Sequence, residues 1–160
     1  MKRNKRLLVT IALIFTLALG AFAFTACTPS HLFITDSVSF DVQTERQFLG
    51  EVLNDLVEEE RLEIEYSGSI DDAWGRFFLN IGDLNPSSDE WIGLFSTINN
   101  TTYSMMLNPI SYNDKTFFSS LRGVDTMPIV KGASYMLLLR PNDMYADDIE
   151  TSAIIINILA

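Results

Sequence analysis

The chain has one cysteine, one histidine and few basic residues, and each scarcity removes a class of chemistry. A lone Cys27 allows no internal disulfide framework and no multi-thiolate metal site. The only histidine, His31, stands just past Cys27 in a stretch that reads as linker rather than as a base or ligand. A serine nucleophile would therefore lack a histidine base in the body of the domain. No Gly-x-Ser-x-Gly elbow, phosphate-cradling glycine loop or metal-ligand spacing occurs. Adjacent carboxylates at Asp71-Asp72 and Asp147-Asp148 give no sign of a pair held across a cleft, which glycoside hydrolysis requires. Asp143, Asp147, Asp148 and Glu150 lack the spacing and glycine of a calcium-binding helix-loop-helix loop. The three carboxylates Glu58-Glu59-Glu60 would point in different directions from a helix. These absences predict a non-enzymatic protein without metal or resident cofactor. Eleven Lys and Arg against 21 Asp and Glu give a net charge of −10. Such a balance does not suit nucleic acid, whose affinity comes from cations neutralising phosphates. Nor does it suit lying flat on anionic lipid.

What is present begins at the amino terminus. Lys2, Arg3, Lys5 and Arg6 precede a long apolar run that ends in small residues and Cys27, the layout of a secretory signal. Phe24-Thr25-Ala26-Cys27 resembles the cleavage box of bacterial lipoproteins, with Phe24 where leucine is usual. The expectation is a signal peptide over 1–26, acylation at Cys27, a lipid-anchored tether over 27–36 and one domain over 37–160. The competing reading is an uncleaved helix, since 7–24 is nearly long enough to span a bilayer. Both place the domain on the extracytoplasmic face of the cell membrane, with the basic end inside. Cleavage would remove four cations and leave seven, a net charge of about −14. Attachment then depends on the acyl chains, and stable anchoring needs more than one.

Along the domain, residues 37–42 alternate polar and apolar as a half-buried strand does. Thr44 with Gln47 matches a capping box, and Phe48, Leu49, Val52, Leu53, Leu56 and Val57 recur at helical spacing. This predicts one main helix over about 45–58. Strands are expected at 62–66, 76–81 and 91–97. Turn signals at Asn99-Asn100 and Asn113-Asp114 mark 98–121 as an inserted hairpin or loop, with Asn108-Pro109 limiting its first strand. The apolar run at 134–139 reads as a buried strand, and the isoleucine-rich 153–159 as a final one. One helix lying across a mixed sheet is an α+β arrangement.

Residues 44–139 resemble the bacterial lipoprotein domains related to the carboxyl-terminal domain of transcobalamin and intrinsic factor. The pieces that carry the resemblance are Phe40-Asp41-Val42-Gln43-Thr44 before Leu49-Gly50-Glu51-Val52-Leu53, Trp74-Gly75 before Phe77-Phe78, Gly82 at a turn, Trp91, Gly123-Val124-Asp125, and Gly132-Ala133-Ser134-Tyr135. The resemblance implies a β-grasp-like mixed sheet packed on one main helix. It also implies cobalamin or a similar macrocycle as ligand; the partner expected besides the membrane is such a ligand or an uptake transporter. Aromatic and methionine side chains suit a flat apolar macrocycle, which makes Trp91, Phe95, Tyr103, Met105, Met106 and Tyr112 the candidate contacts. The alternative is a surface module that binds a protein or glycan, with 103–107 and Phe117-Phe118 as its contact.

Overall fold

The computed structural model describes residues 32–70, 75–142 and 149–160. Cys27, His31, Asp71, Asp72, Trp74, Asp143, Asp147 and Asp148 lie outside the described residues. The element order is β1 (Leu32–Val42), α1 (Leu49–Glu58), β2 (Ile64–Ser67), β3 (Phe77–Ile81), β4 (Glu90–Ser96), β5 (Ser104–Tyr112), β6 (Lys115–Ser120), β7 (Ser134–Pro141) and β8 (Ile149–Ile158). Six strands form one sheet in the order β1-β8-β7-β4-β6-β5. β1 runs parallel to β8, and the other neighbours are antiparallel. β2 and β3 make a separate two-stranded ribbon.

The centre of the sheet explains the least polar stretches of the sequence. Tyr135, Met136, Leu137 and Leu138 on β7 are all buried, as are Ala153, Ile154, Ile155 and Ile156 on β8. Side chains alternate across a strand, so consecutive burial requires cover on both faces. On the first face Tyr135, Leu137, Ile154, Ile156 and Ile158 join Leu49, Val52, Leu53 and Leu56 of α1, together with Leu62, Ile81, Leu84, Val124 and Met127. On the second face Met136, Leu138, Ala153 and Ile155 join Phe95, Ile110 and Phe117.

The second cover comes from the β5–β6 hairpin. Its two-residue connection, Asn113-Asp114, takes positive φ at both positions (47° and 58°), the turn whose twist matches a hairpin. β5 is irregular between Met105 and Ile110, and Asn108 has φ 51°. Such a bulge bends a strand, and here it lets the hairpin lean back over the sheet. Its tip reaches the opposite edge, where the Tyr112 hydroxyl lies 3.0 Å from Ser37 Oγ on β1. Lys115 Nζ donates to Ser134 Oγ (2.7 Å) and Asn157 Oδ1 (3.0 Å).

Two expectations are corrected here. The α+β, β-grasp-like arrangement packed on one main helix does not hold: 53% of the described residues lie in strands and 8% are helical, with one short helix and a large mixed sheet. A ten-residue helix is only about 15 Å long and shares the first face with the β2–β3 ribbon and residues 121–133. The segment 98–121 is no insertion beside the sheet, since β5 and β6 form its far edge and cover its second face.

The helix start also moves, from 45 to Leu49. Thr44 Oγ1 accepts from the Arg46 amide, a local turn that precedes the helix. The reciprocal carboxylate is Glu51, which accepts from the Gln47 and Phe48 amides (both 2.9 Å). The Leu49 and Gly50 amides donate to the carbonyls of Met127 and Val124 (both 2.9 Å), so residues 121–133 satisfy the opening turn. At the other end Glu60 adopts φ 57°, with Arg61 N–H to Leu56 O (2.9 Å) and Glu60 N–H to Val57 O (3.0 Å). This is the paired closing pattern usually built on glycine. Asp125 is tied to Arg76 at 2.5 Å, and the guanidinium lies 4.2 Å above the Tyr66 ring.

Candidate functional site

A concavity lies on the first face, where α1 leaves β1 and β8 uncovered. β1 has a bulge between Ile34 and Asp36, after which Asp36, Val38 and Phe40 turn toward this face. Ser152 and Ile154 of β8 stand beside them, with Leu62 beyond the helix exit. The fourth wall is the turn after β3, where Gly82 has φ 52° and its amide donates to Glu63 O (2.8 Å). A side chain at Gly82 would also crowd Ile154 Cδ1, which a Cβ there would meet at 3.2 Å. The cleft has a volume of about 290 Å³, at the lower end of the small-molecule range of roughly 300–1,000 Å³.

Its floor is apolar, formed by Val38, Phe40, Leu62, Leu84 and Ile154. Val38 is 46% exposed. The rim is charged, with Asp36, Glu63 and Asp83 facing one cation, Arg61. That guanidinium is engaged, bonding Glu59 (3.0 Å) and lying 5.6 Å from the Phe40 ring centroid. None of the three rim carboxylates has an ion-pair partner among the described residues. Nor does any group of three His, Asp or Glu there gather as a metal-ligand set. The arrangement can hold an apolar group and attract a cation beside it.

A second feature lies on the opposite face. Trp91 on β4 pairs across the strands with Arg140 on β7. The guanidinium sits 5.8 Å from the Phe95 ring centroid, and Nε is buried without a hydrogen-bond partner among the described residues. Burial lowers the Arg140 pKa from its usual range. Between them Gly93 leaves little room for a side chain, since a Cβ would meet Phe95 Cε2 at 3.0 Å and Arg140 Cγ at 3.1 Å, and both would have to give way slightly. Arg140, Phe95 and Trp91 thus close over the glycine.

The six residues expected to contact a macrocycle are dispersed. Trp91 is 45% exposed near the start of β4, whereas Phe95 is 3% exposed in the second core. Tyr112 packs on that same core, with its hydroxyl against Ser37. Tyr103 packs on the first core. Met105 is exposed on β5, and Met106 is half-buried. The structure brings Phe95 and Tyr112 together, but none of the six lines the cleft. The cleft residues escaped the sequence analysis because they come from four separate segments. Their one local signal was Phe40 and Val38 alternating along the first strand.

Among the described residues no helix is long and apolar enough to cross a membrane. No protein-family profile, curated protein sequence or solved structure matches this chain.

Proposed function

We propose that this chain is an exported, lipid-tethered recognition module that holds a partner without transforming it, with the cleft beside β1 as its contact. The carrying observation is an apolar floor left open to solvent at the edge of the sheet. Exposed apolar surface rimmed by polar groups marks interaction sites. The volume suits one or two side chains of a polypeptide better than a whole macrocycle, which favours a protein partner over cobalamin. The cobalamin expectation rested on a β-grasp, and the six-stranded sheet leaves it without that support. The tether itself follows from the basic start, the apolar run and Cys27.

A photo-crosslinking residue placed at Val38, and separately at Met105, in the intact cell envelope tests the contact. Adducts from Val38 and none from Met105 are expected. Adducts from Met105 alone would overturn the assignment. Cobalamin added to the purified full chain should leave its absorbance spectrum unchanged, and a spectral shift would favour the macrocycle instead.

A further inference from the structure

We propose that the occupant of the cleft is an extended polypeptide segment carrying lysine or arginine among apolar residues, added as a strand to the outer edge of β1. This rests on the cleft being the contact surface.

The edge supplies the backbone half of the argument. Among the described residues β1 is the terminal strand of the sheet and pairs with β8 on one side only. Among the described residues no backbone hydrogen bond crosses its outer side. The Tyr112–Ser37 bond joins β1 to the far hairpin through side chains and, among the described residues, leaves the edge over 36–42 open. An exposed edge is a template for strand addition, with main-chain bonds giving affinity and alternate side chains filling pockets. Side chains of an added strand would fall alternately on the two faces. Those on the first face would lie over the floor formed by Val38 and Phe40. The bulge before Asp36 limits the regular stretch to residues 36–42.

Charge selects the occupant. Asp36, Glu63 and Asp83 surround the floor without ion-pair partners among the described residues, and Arg61 is already bonded to Glu59. A cation beside an apolar group therefore gains at this rim, and an anionic segment is repelled. The same argument disfavours a second copy of this chain, which carries a net charge of −10.

The test uses the full chain in detergent micelles and three synthetic peptides that alternate valine or isoleucine with lysine, serine or glutamate. Binding is read by fluorescence anisotropy, and hydrogen exchange reads protection of residues 36–42. The lysine peptide should bind, protect those amides and weaken as salt is raised. The double variant Glu63→Lys with Asp83→Lys should weaken it about tenfold, with an unchanged melting curve because both residues are exposed. Equal binding of the serine and lysine peptides, or no effect of the double variant, would overturn the charge selection while leaving the cleft as the contact. Protection absent from 36–42 with every peptide would overturn strand addition. Failure of crosslinking at Val38 would instead remove the contact surface itself. Concentration-dependent dimerisation that protects the same amides would assign the edge to a second copy and overturn the proposal.

Discussion

Replacing Tyr135 by phenylalanine isolates one hydroxyl that fastens the loop before β7 to the core. The Tyr135 side chain is fully buried, and its oxygen accepts from the Val130 amide (2.9 Å) while donating to the Pro128 carbonyl (2.6 Å). Tyr135→Phe keeps the ring, so the cost comes from two lost hydrogen bonds rather than from a cavity. At about 1 kcal/mol for each bond, the expected loss is roughly 2 kcal/mol. For a domain of this size that corresponds to a fall in Tm of roughly 5–10 °C. A second signature appears in alkali. Burial pushes the Tyr135 hydroxyl up to about 12, and Tyr66 likewise up to about 12. Because each folded pKa exceeds the unfolded value of about 10, the unfolded chain releases its protons first. The stabilisation is therefore complete below pH 10 and drains away as the pH climbs toward 12. A two-unit shift is worth on the order of 2–3 kcal/mol. Chemical denaturation at pH 8 and pH 11 should show a steep alkaline loss in the native chain and a shallower one in Tyr135→Phe, where Tyr66 alone remains. A variant that melts with the native chain, or has an identical alkaline slope, would refute the reasoning.

Two other substitutions probe the same framework. Glu60→Gly should stabilise by about 0.5–1 kcal/mol, because Glu60 holds φ 57° at the close of α1 and glycine adopts that conformation without a Cβ clash; no gain in Tm would discount strain at this position. Asp125→Ala should cost about 3 kcal/mol, since it strands the Arg76 guanidinium, 16% exposed, without its carboxylate. A loss below 1 kcal/mol in urea titration would show that water replaces Asp125 readily.

Most strands were legible because their residues alternate or run apolar without interruption. The run at 134–139 even signalled cover on both faces, but nothing local identified the second cover as 104–120. The hairpin turn at Asn113-Asp114 was readable from residue type, and its reach to Ser37 was not. Pro109 was expected to stop the preceding strand. β5 continues through it because an edge strand can spare an amide. The helix start was displaced because Thr44 and Gln47 imitate a box whose working carboxylate is Glu51. The macrocycle contacts were chosen by residue type, and residue type does not distinguish a core phenylalanine such as Phe95 from an exposed tryptophan such as Trp91. The cleft depends on tertiary placement of Phe40, Leu62, Leu84 and Ile154, so no single window of sequence contained it.

The parallel union of β1 with β8 ties the beginning of the folded domain to its end, with Val38 aligned to Ile154 across almost the whole described chain. A polypeptide emerging amino terminus first cannot complete this sheet until β8 (Ile149–Ile158) is free, and pairing so distant in sequence is slow. While the chain is being made, β1 would wait unpaired for a partner not yet delivered. Loss of β8 would leave β1 without a partner and β7 paired with β4 alone, so truncation before Ile149 should yield an insoluble product rather than a weakened one.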